Sequence, residues 1–428
     1  VDRHLNSRIF HNKNSGSELK EQIYNWLKIV HPVFVLDSNH CPDRYGQYDL
    51  LAGIGTRKKM VLPELNPRNA NDFFNALTQG YFTFLTLAYD TKNLFHQLQS
   101  ENPKLYSWPD ALMYQPDTLI RLKRDGTLRI DSHSQNPQMI FEAIQSAEDF
   151  RFSSPQLEWT HIPGFVPYQK KFEDIMHHLY DGDIYEVNYC HCFSGDLVQE
   201  GNHLNWFQEL NALAPKPFSA FVSLEHADLL CFSPERFLRK SGSSILTQPI
   251  KGTFPVEQTE YGEKEIAENL MIVDLCRNDL AQISATGSIE VPELLGTYAY
   301  QNIKHLISTV RASLREETTI QDIFSATFPM GSMTGAPKHS AMQIIEKTEE
   351  FRRGIYSGTV GYVDENGDFD LNVVIRSAIL DKEKAKIHLP VGGALLYDSN
   401  DRAEYEETLA KIDFFTKETA FKHPSKDQ

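Results

Sequence analysis

At 428 residues, with 41% hydrophobic and 11% aromatic content, the chain has apolar side chains enough for one large core or two ordinary ones, which argues against a disordered polypeptide. A formal net charge of -16 disfavours nucleic acid and anionic membrane surfaces as partners, so an anionic substrate would need a metal ion or a few well-placed Lys and Arg. Short apolar runs and the polar opening VDRHLNSRIF support neither a membrane span nor a charged leader, and the expectation is a soluble protein of the cytoplasm.

In chain order, residues 1–150 mix predicted helices at 17–30 and 71–78 with short strands near 33–35, 49–54 and 81–87, and carry no legible chemistry. A Pro-bearing stretch at 155–167 leads into a second region, 165–420, that holds every motif; the two are expected to form one intertwined unit. There the pattern predicts a helix at 169–180, strands at 184–193, 220–221, 228–232 and 245–249, and a helix through 260–278. A helix at 320–327 follows, then one after Gly335-Ala336-Pro337, where Pro337 suits a first turn. Strands near 358–363, 370–380 and 386–389 and a final helix over 401–416 complete the pattern. Strands and helices do not alternate regularly, which favours α+β over a doubly wound sheet or barrel, and neither a Walker A sequence nor G-x-G-x-x-G is present. The five cysteines (Cys41, Cys190, Cys192, Cys231, Cys276) read as reduced, buried thiols.

Three constellations carry possible chemistry. Glu265 and Glu268 share a helix face, as do Glu404 and Glu407 in the last helix. If the two pairs converge they offer oxygen ligands suited to Mg2+; singly, each reads more readily as a solvated helix face. Glu235 in Ser-Pro-Glu-Arg-Phe precedes Lys251 in Pro-Ile-Lys-Gly-Thr by sixteen residues. A shielded carboxyl can donate a proton and a desolvated amine can attack carbon, although a surface ion pair explains either residue alone. The small-residue loops 329–338 and 391–394 could bring backbone N–H groups to a ligand carboxylate, or could be plain turns.

Taken together, Gly182-Asp183-Ile184-Tyr185-Glu186-Val187-Asn188, SPERF at 233–237, PIKGT at 249–253, AENLMIVDLCRND at 267–279, HLISTV at 305–310, GSMTGAPK at 331–338 and EYEET at 404–408 resemble the chorismate-utilising enzymes over residues 165–415. That family includes anthranilate and isochorismate synthases. The resemblance implies two β-sheets packed over a core with helices outside, and chorismate between the sheets. Most members resemble P-I/L-A-G-T at 249–253; the branch that aminates chorismate at C4, towards 4-aminobenzoate and folate, carries Lys, as here. The resemblance then makes Lys251 the nucleophile at C2 and Glu235 the acid that protonates the departing C4 hydroxyl, before ammonia adds at C4. It implies Mg2+ on Glu265, Glu268, Glu404 and Glu407, His305 against the ring near C4, and Tyr356, Arg376, Thr334 and Gly393 around the enolpyruvyl carboxylate. Lys411 would lie near the ring carboxylate, and Thr253 completes the substrate-binding set. Glu186 departs from the Gln of most amine-adding members and from the lysine base of isochorismate synthases, and its part stays open. No nucleophile-elbow Cys with a later His-x-Glu is present, so ammonia is expected from a separate glutamine amidotransferase subunit. An anthranilate-forming enzyme and a non-catalytic chorismate-binding protein are the alternatives.

Overall fold

The structure is a computed structural model, and it describes residues 5–11, 16–150, 152–256, 262–300 and 303–416. Two antiparallel sheets organise these residues. The 12-stranded sheet runs, in spatial order, Asn6–His11, Thr127–Ser132, Thr118–Lys123, Tyr48–Ile54, Phe34–Asp37, Phe218–Ser223, Ala227–Ser233, Ser377–Asp381, Lys386–Leu396, Glu186–Gln199 and Gly335–Ala336, with Gln156–His161 also on Glu186–Gln199. The 10-stranded sheet runs Ile250–Pro255, Ile303–Ser313, Ser244–Gln248, Arg236–Ser241, Phe369–Asn372, Thr359–Val363, Thr83–Leu87, Ala111–Gln115 and Lys58–Leu62, with Glu290–Tyr300 on Ile303–Ser313. Both sheets take strands from either side of residue 150. No described helix is long and apolar enough to cross a membrane.

The long strand Glu186–Gln199 shows how sequence sets the layers. Successive side chains of a strand point to opposite faces. Cys190 and Cys192 enter the core shared with Phe237, Ile245 and Val310 of the other sheet. Val187 and Tyr189 instead pack beneath the helices Phe165–Tyr180 and Lys338–Thr348, with Ile175, Leu179 and Ile345. All five cysteines are buried free thiols, in keeping with their predicted role.

The helices Ile320–Thr327 and Asp401–Thr416 form at the predicted bounds. The first opens on a capping box in which Thr319 and Asp322 satisfy each other's backbone N–H groups. Two expectations change. The stretch 370–380 is not one strand: Phe369–Asn372 belongs to the 10-stranded sheet and Ser377–Asp381 to the 12-stranded one. Pro337 sits one place before the helix Lys338–Thr348, as its cap residue rather than in its first turn.

Candidate active site

Two of the places where the chain crosses from one sheet to the other run side by side. Ser233 ends a strand of the 12-stranded sheet and Arg236 begins one of the other, leaving Pro234 and Glu235 in the gap. The stretch after Asn372 returns in the opposite direction, and the Val373 N–H donates to the Glu235 carbonyl at 3.0 Å. Arg376 takes a left-handed φ of 51° in that return, a conformation that L-residues other than Gly, Asn and Asp seldom adopt. The two crossings therefore set Glu235 and Arg376 in the cleft between the sheets. Arg236 anchors the first crossing from behind, its buried guanidinium reaching Asp370 at 2.8 Å and Asp43 at 2.6 Å.

Lys251 arrives on Ile250–Pro255. Pairing with Ile303–Ser313 slips by one residue between Ile250 and Thr253, a bulge of the kind that re-aims a side chain. Gly252 carries a φ of 86° there, and an added Cβ would meet Phe254 at 2.8 Å, so the fold itself requires this glycine.

A cavity of about 610 Å³ opens in the cleft, within the range of small-molecule sites. Its lining brings together Glu235, Lys251, Glu265, Glu268, His305, Tyr356, Arg376, Glu404, Glu407 and Lys411, all singled out from sequence. Two residues fall elsewhere. Thr334 is fully buried, and its hydroxyl donates to the carbonyls of Met330 and Gly331, which turns it into its own loop rather than the cavity. Gly393 lies behind Glu404 and Lys411, where an added Cβ would be 3.6 Å and 3.8 Å from their charged atoms. The Thr253 side chain lies outside the described residues. Gly335 is needed because the carbonyl of Glu186 presses against it, which accounts for that loop glycine without a ligand.

Burial sets the electrostatics. Glu235 is buried, and desolvation pushes its carboxyl up to about 7, with the Ser332 hydroxyl and the Lys251 charge pulling the other way. Ser332 Oγ donates to Glu235 Oε1 at 2.7 Å. Desolvation also lowers His305 to about 3, so its imidazole is neutral. The Lys411 ammonium, 2.8 Å from Glu407 Oε1, holds that half-exposed carboxyl below its usual range. Lys411 also donates to the Gly392 carbonyl at 2.8 Å.

Lys251 corrects the sequence reading. A desolvated amine was expected there, and burial does pull towards the neutral form. The Glu186 carboxylate, accepting from Nζ at 2.6 Å, opposes it most strongly, and with Glu268 and Glu235 adding to it the amine is raised above its ordinary value. Sequence reasoning left Glu186 open and passed over two cavity residues, Asn188 and Ser332. Strand alternation places Asn188 on the same face as Glu186, a usable signal, and Ser332 lies in the small-residue loop 329–338, though nothing there marks its hydroxyl.

The four acidic residues line one cavity, yet among the described residues no three His, Cys, Asp or Glu side chains are close enough to form a metal-binding group. Glu265 folds back over Gly262 at the start of the helix Glu263–Ala281, a place that suits a carboxylate in any case. Glu404 accepts from Ser399 at 2.8 Å. An ion held there would have to keep water and share an anionic ligand, as Mg2+ does.

Two facing antiparallel sheets with an acid, an amine and four further carboxylates in the cleft define the class, and the chain belongs to the chorismate-binding enzyme family, whose model matches residues 32–417. Aminodeoxychorismate synthase component 1 of Escherichia coli (strain K12) is 34% identical over 325 residues, which cover 73% of this chain and 69% of that protein. Relatives of the same name from Salmonella typhimurium and Klebsiella aerogenes are matched over 56% of their length, so the chain spans little more than half of them. Anthranilate synthase component 1 of Lactococcus lactis is 31% identical, with 83% of this chain and 81% of that protein covered. The crystal structure of anthranilate synthase component I from Streptococcus pneumoniae shares the fold, with a TM-score of 0.74 at 22% identity over 87% of this chain and 92% of that one.

Proposed function

We propose that the chain aminates chorismate at C4 to give 4-amino-4-deoxychorismate, with ammonia supplied by a separate glutamine amidotransferase subunit. The observation that carries this reading is the convergence of Lys251 and Glu235 on one cleft, with Lys at the place where anthranilate-forming relatives resemble P-I/L-A-G-T.

Each residue has a task suited to its chemistry. Glu235, with its carboxyl raised to about 7, holds a proton at neutral pH and can pass it to the departing C4 oxygen. Lys251, once it has lost a proton, places an amine lone pair at C2. Ammonia then adds at C4 and releases the lysine. Tethering the nucleophile is worth an effective molarity of roughly 10^5 M or more when alignment is good, which lets it outcompete water. Arg376 and Lys411 supply positive charge for the substrate carboxylates, and His305, neutral, offers a flat face to the ring. Four carboxylates besides the protonated Glu235 line the cavity against Lys251, Arg376 and Lys411, so a dianionic substrate calls for more positive charge. Glu265, Glu268, Glu404 and Glu407 would hold Mg2+, which when bound supplies a counter-charge to the ring carboxylate.

The test is product identity. Chain incubated with chorismate, Mg2+ and ammonium should yield aminodeoxychorismate by mass, and Lys251→Arg should not, because a guanidinium stays protonated and cannot attack carbon. Anthranilate as the product, or normal aminodeoxychorismate formation by Lys251→Arg, would overturn the reading.

A further inference from the structure

Glu186 and Lys251 meet from opposite sheets. Glu186 begins the strand Glu186–Gln199 and is held on both sides, paired with Leu396 and with Ala336. Its carboxylate lies behind Lys251 as seen from the cavity, 1% exposed, and accepts from Nζ at 2.6 Å. We propose that Glu186 governs the covalent step through Lys251, fixing the amine in the cleft as an ammonium and accepting its proton before attack. This rests on the reading of Lys251 as the reacting amine.

The surroundings narrow the choice of proton acceptor. Lys251 also feels Glu235 from the first crossing, Glu268 from the helix Glu263–Ala281 and Glu407 from the final helix. Arg376, Lys411 and the neutral His305 share the cavity with it. Glu186 is the carboxylate to which Nζ donates a hydrogen bond. Burial alone would favour the neutral amine, so the charged state is a consequence of the neighbouring carboxyl groups, with Glu186 the largest contributor and Glu268 and Glu235 adding to it. Gln, which most amine-adding relatives resemble at this place, keeps the shape but brings neither charge nor a site for the proton.

An ammonium has no lone pair, so one N–H bond must break before Lys251 can attack. The proton passes to Glu186 Oε1, and the freed pair forms the N–C2 bond. As both ring double bonds shift, one to C1–C6 and the other to C4–C5, the C4–O pair leaves with the Glu235 proton as water. When ammonia adds at C4, the C2–N pair returns to lysine, and Glu186 gives back its proton. The Glu235 carboxylate takes the surplus proton of the new C4 ammonium, which restores both groups. No outside acid, base or redox partner is required.

Competitive acetylation with acetic anhydride across pH, read by peptide mass in the presence of chelator, reports the fraction of Lys251 present as free amine. In Glu186→Gln the onset of labelling should fall by at least about one pH unit, a tenfold faster reaction at any pH below the wild-type onset. Glu186→Asp, which keeps the charge while disturbing packing, should label close to wild type. The rising limb of product formation against pH should move with the label in each protein. An unchanged onset in Glu186→Gln, or an equal fall in Glu186→Asp, would overturn the proposal. Because labelling uses no chorismate, a shifted onset with no product at any pH would support the pairing and contradict the proposed reaction.

Discussion

Glu235→Gln isolates the effect of burying one carboxyl group. The amide keeps the side chain's shape and can still accept from Ser332, but it carries no acidic proton. The wild-type carboxyl is raised from 4.5 to about 7, chiefly by desolvation. The native state thus holds this proton more tightly than the unfolded chain does, so its stabilising contribution is complete below about 4.5 and is lost as pH rises through about 7. At 1.36 kcal/mol per unit, the span is about 3 kcal/mol. The unfolding free energy of Glu235→Gln relative to wild type should therefore shift in the variant's favour by up to about 3 kcal/mol between acid and mildly alkaline buffer. Urea unfolding of both proteins near pH 5 and near pH 8.5 measures the difference. Turnover should fall roughly 10^2- to 10^4-fold, the usual worth of a general acid. A stability difference that is the same at both pH values, or a variant with wild-type turnover, would show that Glu235 is an ordinary carboxylate.

Glu268→Gln or Glu407→Gln should lower Mg2+-dependent turnover at least 100-fold with folding intact by circular dichroism; full activity in both, or in excess chelator, would remove the metal from the scheme. Arg353 is 1% exposed and pairs with Glu349 at 2.6 Å while donating to the Met333 and Asn188 carbonyls, so it ties the loop at 331–334 to the strand that carries Glu186. Arg353→Met should cost about 3–5 kcal/mol by leaving Glu349 buried and uncompensated, and a paired Glu349→Leu change should recover most of it; a stable single variant would contradict that role. The chain alone should turn over with ammonium salts at alkaline pH and not with glutamine, gaining glutamine use when a glutaminase subunit is added. Glutamine-dependent turnover by the chain alone would refute the two-subunit scheme.

Local signals were legible where chain-neighbour chemistry decides. The helix Ile320–Thr327 was legible from its apolar pattern, and the ordered motifs located the acid, the amine and both acidic pairs that line the cavity. The strands Glu290–Tyr300 and Ile303–Ser313 were not read as strands, since their polar residues interrupt the alternation that marks a half-buried strand. The break between Phe369–Asn372 and Ser377–Asp381 was invisible, because periodicity along 370–380 does not say which sheet each end joins. The Glu186–Lys251 pair links residues 65 apart from opposite sheets, which no local pattern encodes. That is why the sequence suggested a desolvated amine at Lys251 and not its carboxylate partner.

The decisive measurement is intact-protein and peptide mass after incubating the chain with chorismate and Mg2+ in the absence of ammonia, across a range of pH. A substrate-derived adduct on the peptide that contains Lys251, absent from Lys251→Ala and discharged by ammonium into aminodeoxychorismate, is the expected result. No adduct at any pH, together with near-normal product formation by Lys251→Arg, would show that this lysine acts by charge alone and would return the anthranilate-forming alternative to first place.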